Sequence, residues 1–301
     1  MTHQPKKAVF GVAERRRQFN SLGKTLALVA LMSAGPGIAA ASEDPADPLA
    51  PQQDSAKLAK QLSNPVASLI SVPFQGNWDT DAGADGKGDR YVLQIQPVIP
   101  FKLSSSMNLI SRTILPVITQ TGITGPHRTQ TGIGDTVQSL FLSPAKPLGG
   151  WLIVGVGPAA SLPTGSSTAL TSGKLSVGPT FVALTQQQSW IMGVLVNQLW
   201  SVAGKTDRPD TSNLFVQPFI TYTTRKAMTF GLNSETSCNW RIEGRQCAVP
   251  INATVGQLVR FGTQPVSFTF GGRYYANRLP GSPKWGLRFV TTLLFPAHKR
   301  G

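Results

Sequence analysis

Histidine is nearly absent from this 301-residue chain, with three residues, and cysteine is limited to two. The shortage of histidine excludes most nucleophilic catalysis, because a serine–histidine–acid arrangement needs a histidine beside the nucleophile. Beyond the N-terminal 41 residues only His127, in a predicted loop, and His298, near the end, remain. Asp135 and Glu235 are isolated carboxylates on different predicted strands, and there is no metal-spaced cluster or glycine-rich phosphate loop. No catalytic residue, no metal and no cofactor are expected, and the chain does not read as an enzyme.

Long apolar helical stretches are also missing. Mean hydropathy is −0.03, and no 3.6-periodic apolar run approaches the roughly 20 residues of a spanning helix. In a membrane, a chain without such helices can satisfy its backbone only as a closed barrel. Basic runs are lacking too, although the formal charge is +14. Arg and Lys are scattered singly, without an aromatic-interleaved basic patch, which argues against nucleic acid. An anionic lipid surface, or a positive pore that favours anions, suits the charge better.

The N-terminus carries a secretory pattern. Lys6, Lys7, Arg15, Arg16, Arg17 and Lys24 precede the modest apolar run Thr25 to Ile38, and Ala39-Ala40-Ala41 supplies a cleavage site. Residues 1–41 are expected to be a signal peptide. Their six basic groups and one acidic group account for five of the fourteen charges, so the mature chain carries +9. Residues 42–64 read as a periplasmic lead-in, either a tail or two helical turns over Ser55 to Leu62. Export makes Cys238 and Cys247, which flank the loop CNWRIEGRQC, a disulfide pair; two free thiols are the alternative.

From 65 to 296 the chain zigzags. Strands are expected near 66–76, 90–102, 107–119, 133–143, 150–162, 174–185, 189–202, 212–223, 227–238, 247–261, 265–277 and 284–296. The connections 77–89, 120–132, 163–173, 203–211, 239–246 and 278–283 are mostly long and rich in Gly, Asp, Thr and Pro. Those at 103–106, 144–149, 186–188, 224–226 and 262–264 are mostly short. Alternate long and short connections, with both ends on the short side, predict an all-β, transmembrane antiparallel β-barrel of about 12 strands, followed by a short tail, 297–301.

Alternation assigns the faces. Val266, Phe268, Phe270 and Tyr274 share one face, and Ser267, Thr269 and Arg273 the other. Leu287 and Phe289 oppose Arg288, and Leu93, Ile95 and Phe101 oppose Gln94 and Gln96. A soluble β-sandwich also alternates, but strand length, the leader and aromatics near strand ends favour a barrel with two interfacial girdles. Arg112, Arg273 and Arg288, with Glu235, Gln94 and Gln96, are therefore candidates for a lumen and solute path. They read either as a positive constriction that steers anions or as a paired cluster that plugs the interior. Pro97, Pro100, Pro116, Pro158, Pro179, Pro218 and Pro250 are among the prolines inside predicted strands, several in recurring words such as IQPVIPF, ILPVIT, VGPTFV and VQPFIT. A proline cannot donate to the ladder, so regular bulges are expected there.

The segments SNPVASLISVPFQGNW, LQIQPVIPF, NLISRTILPVI, GIGDTVQSLFLSPAKP, VGVGPAASLPT, GKLSVGPTFVALT and LWSVAGKTDRPDTSNLFVQPFITY resemble, in order and spacing, a family of Gram-negative outer-membrane transporters. That family is related to the meta-pathway phenol-degradation (MetA-like) outer-membrane proteins. The resemblance spans about residues 55–296. It implies an outer-membrane barrel that passes small, hydrophobic or aromatic solutes, to which the basic charge adds anionic ones, and it carries over no ligand residues. The cysteine pair and the residues beyond Phe295 depart from the pattern. The expected partners are outer-membrane lipid, the barrel-assembly machinery and a small solute, with no nucleic acid. The alternative function is a structural barrel with a plugged lumen and loop-mediated binding.

Overall fold

Strand alternation closes on itself here. The computed structural model describes residues 50–296 except 126 and 245, with side chains from 53 onward. The expected signal peptide, the lead-in up to residue 49 and the 297–301 tail with His298 lie outside the described residues.

Helix α1 (Ala50–Leu62) comes first. The strands are β1 (Ile70–Ala82), β2 (Gly88–Ile95), β3 (Val98–Lys102), β4 (Met107–Thr121), β5 (Thr129–Ile133), β6 (Thr136–Pro144), β7 (Leu152–Leu162) and β8 (Lys174–Gln187). They continue with β9 (Trp190–Gly204), β10 (Ser212–Thr223), β11 (Met228–Ser234), β12 (Thr236–Asn239), β13 (Cys247–Phe261), β14 (Gln264–Asn277) and β15 (Trp285–Phe295). Three wall strands are each broken once, into β2–β3, β5–β6 and β11–β12, so the fifteen pieces make a twelve-stranded antiparallel wall. β15 returns to β1 in register from Ile70↔Phe295 to Thr80↔Trp285. The wall thus closes on itself, as a bilayer demands; β5, toward the long-connection rim, pairs with β4 alone.

The rims match the expected zigzag. Connections 83–87, 122–128, 163–173, 205–211, 240–246 and 278–284 share one rim; 103–106, 145–151, 188–189, 224–227 and 262–263 share the other, with α1 and the end of β15. The first wall strand begins at Ile70 and runs to Ala82, later than the expected 66–76. Ser71, Pro73, Gln75, Asn77 and Asp79 continue the period-2 pattern past the point where a loop was expected to start.

The outer face is apolar. Phe230, Phe270 and Phe289 are exposed along it. Trp78, Tyr91, Trp200 and Trp285 are exposed toward the long-connection rim, and Trp151, Trp190, Tyr222 and Phe295 toward the short one. Trp78 and Trp285 meet edge to face at 6.4 Å, and Trp190 and Tyr222 lie 4.9 Å apart. Two aromatic girdles flanking an apolar band is the pattern of a membrane barrel.

The prolines act mainly on their neighbours. Each of the three breaks donates a backbone N–H to a proline carbonyl across the ladder. Gln96 N–H donates to Pro73 O at 2.9 Å, Gly134 N–H to Pro116 O at 2.9 Å, and Glu235 N–H to Pro250 O at 3.2 Å. Pro218 borders the last break from the other side, where pairing of β10 passes from β11 to β12. A proline supplies no N–H, so the facing strand loses a ladder partner. At Gln96–Pro97 and at Glu235 the register is the same on both sides of the gap, so the ladder is interrupted without an extra residue. At Gly134–Asp135 it slips, from Val117↔Ile133 to Ile114↔Val137, which is a bulge. The expected regular bulges are thus mostly plain gaps in the ladder. Pro97 lies in a break itself, and Pro158 faces Pro179 across β7 and β8.

Candidate functional site

The two sides of the lumen differ in chemistry. Ile110, Phe141, Val182, Leu184, Ile191 and Leu195 form a buried apolar cluster on β4, β6, β8 and β9. The other side carries the polar inward residues of β1, β2, β13, β14 and β15, with Glu235 from the β11–β12 break. The three broken positions carry Gln96, Asp135 and Glu235.

Glu235 is the centre of the polar side. It accepts from Arg288 Nη1 at 2.8 Å and Nη2 at 2.7 Å, and from Arg273 Nη2 at 2.9 Å. Arg288 Nε donates to Asn77 Oδ1 at 2.8 Å. Arg273 also reaches Asp79 at 3.6 Å, and the Tyr275 hydroxyl donates to Asp79 at 3.2 Å. The side chains of Arg273, Glu235 and Arg288 are only 12%, 16% and 4% exposed. Facing lipid, each arginine would cost about 2–4 kcal/mol at mid-bilayer; inward, each meets a carboxylate.

A glutamine chain runs on from this cluster toward the short-connection rim. Gln75 Nε2 donates to Gln94 Oε1 at 2.9 Å, Gln96 Nε2 donates to the same oxygen at 3.0 Å, and Arg112 Nη2 donates to Gln96 Oε1 at 3.0 Å. All six expected lumen residues, Arg112, Arg273, Arg288, Glu235, Gln94 and Gln96, therefore stand on the polar side in two adjoining networks. Asp79, Asn77, Gln75 and Tyr275 join them without having been among the expected site residues. Gln75 and Tyr275 lie in expected strands, Tyr275 on the face of Arg273, whereas Asn77 and Asp79 fall in the expected loop 77–89, although the alternation along β1 runs through them.

Both ends of the lumen are narrowed. At the short-connection end α1 packs Ala59 and Leu62 against Leu69, Ala227, Leu258 and Leu294. Arg260 Nε donates to Ser55 Oγ at 3.2 Å, and Lys60 to the Gln188 carbonyl. Val66 follows the helix into the apolar cluster at 5% exposure. Residues 55–62 are thus part of a longer helix that sits against the barrel interior. At the other end the 163–173 connection is pinned to Asp135. That carboxylate accepts from Gly165 N at 3.2 Å, Thr171 Oγ1 at 2.5 Å, and Ser172 N and Oγ at 2.7 Å each. Leu170 then packs on Val92 and Ile118. A Cβ on Gly132 would lie 2.0 Å from Ser166 Oγ and 3.0 Å from Leu170 Cδ1, so a side chain there would push this connection's side chains aside.

Cys238 and Cys247 are direct partners across β12 and β13 and form a disulfide. It closes the 240–246 connection on the long-connection rim. His127 stands in the 122–128 connection, and Asp135 and Glu235 are committed to the contacts above.

An outer-membrane channel from Pseudomonas putida F1 has a similar structure, with a TM-score of 0.57 at 13% identity, covering 75% of this chain and 94% of that one. The fold is that of an outer-membrane β-barrel. The KdgM porin (TM-score 0.40, 11% identity, 76% of this chain and 99% of that one) and Pseudomonas putida OprB (0.34, 11%, 80% and 97%) align more loosely. No protein-family model and no curated protein sequence matches the chain.

Proposed function

We propose that the protein is a passive outer-membrane channel for small solutes, with an anion-favouring lumen and no enzymatic role. The observation that carries this reading is the two-sided lumen. Arg112, Arg273 and Arg288 outnumber Asp79 and Glu235 on the polar side. An excess of positive groups in a low-dielectric passage raises the local anion concentration. The apolar wall opposite suits solutes that carry a ring or short chain. The signal peptide, the placement of 240–246 outside the cell and of both chain ends in the periplasm belong to the same proposal, as do the assembly machinery and the transporter family it resembles.

Planar bilayers test it. Discrete conductance steps, with a reversal potential in a KCl gradient that favours chloride, are expected. Deleting residues 50–69 should raise the step size. A second reading, a plugged structural barrel, draws on α1 and Val66; silence of both the intact and the deleted protein would favour it and refute the channel.

A further inference from the structure

A cavity of about 230 Å³ lies between residues 61–69 and the barrel wall. Leu69, Val98 and Phe219 supply apolar lining, and Gln96, Arg112 and Asn233 supply polar groups. Arg112 is the sole arginine or lysine of that lining. Its hydrogen bond to Gln96 uses one of five guanidinium donors, and no described carboxylate forms a salt bridge with it. Arg273 and Arg288 differ, because Glu235 already holds both. A partly buried cation beside an apolar wall is costly until an anion joins it. The planar fork of a guanidinium matches a carboxylate in two parallel hydrogen bonds.

We infer that this cavity binds small carboxylates with an apolar body, the carboxylate on Arg112 and the body against Leu69, Val98 and Phe219. The inference deepens the channel reading and rests on it: Arg112 is where an anionic solute pauses before it passes the N-terminal segment. A cavity of about 150 Å³ takes benzene, so this one has room for a single ring with its carboxylate.

The test uses the full-length mature protein in detergent micelles, with benzoate as probe and benzyl alcohol as its neutral counterpart. Binding is measured by titration calorimetry, and heat-modifiable gel mobility checks that each variant is folded. Benzoate should bind to the wild type, and Arg112→Gln should weaken it about 10- to 100-fold, the loss of one charge-assisted contact. Arg112→Lys should recover part of that loss. Benzyl alcohol should bind more weakly and not respond to Arg112→Gln. Ala67→Phe fills the cavity from the N-terminal segment and leaves every wall strand unaltered, so it should remove benzoate binding in an intact barrel. A wild type that does not bind benzoate, or variants that bind it unchanged, would overturn the inference. The channel reading fails separately: conductance without Arg112-dependent binding removes the site alone, and binding without conductance removes the channel alone.

Discussion

Replacing Glu235 with glutamine isolates the electrostatic role of the polar cluster. The substitution keeps the shape and one carbonyl acceptor but removes the charge between Arg273 and Arg288, whose side chains are 12% and 4% exposed. Arg273 keeps Asp79, at 3.6 Å, and the Tyr275 ring, and Arg288 keeps Asn77. Removing one partner of a buried pair costs about 3–5 kcal/mol; the retained acceptor puts this case near 3. With a urea slope of roughly 3 kcal/mol/M for a chain of this size, the unfolding midpoint in micelles should fall by about 1 M. The lumen also gains one net positive charge, so the reversal potential should move further toward chloride. Tryptophan fluorescence follows the midpoint, and bilayer recording follows selectivity. An unchanged midpoint would show that Glu235 does not bear the two arginines, and unchanged selectivity would show that the cluster does not face the conducting path.

Three further outcomes are expected. Reducing the Cys238–Cys247 bond, or replacing both residues with serine, should cost about 2.5 kcal/mol from the ten-residue loop it closes, read as a lower urea midpoint with the barrel still formed. Asp135→Ala removes the acceptor of four hydrogen bonds that hold 163–173; single-channel recordings should become larger and noisier, whereas identical traces would take that connection out of the path. Asp210, outside the wall strands, is held below the usual carboxylate range by its hydrogen bond and ion pair with Lys174 at 2.9 Å. A lowered carboxylate pKa means the tie is complete above the usual carboxylate value and is lost as pH falls through the lowered one. Mobility of a spin label in 205–211 should therefore rise only at acid pH below the usual range, and Asp210→Asn should show that mobility at neutral pH.

Much of the architecture is local and was therefore legible. Period-2 alternation in Val266–Tyr275 and Trp285–Phe295 assigns lipid and lumen faces residue by residue, because a strand has only two sides. Alternate connection lengths assign the rims. The cysteine pair flanking one short loop needs only the loop to close. What stayed illegible depends on contacts between distant segments. Arg273, Arg288 and Glu235 are separated by up to 53 positions and meet because the ladder register brings them to one height. Val66 reads as the start of a strand, since an apolar residue before a strand looks the same whether it joins the wall or enters the lumen.

The proline words mark the boundary between the two kinds of information. That the ladder is interrupted near them follows from the residue alone, since a proline has no N–H to donate. Where the gap opens, and whether an extra residue enters it, depends on the chain across the ladder. Pro73, Pro116 and Pro250 stay in their strands while the facing chains break at Gln96, Gly134–Asp135 and Glu235; of these three breaks, the one at Gly134–Asp135 shifts the register. A hydrogen bond has two partners, and the pairing of distant segments supplies the second.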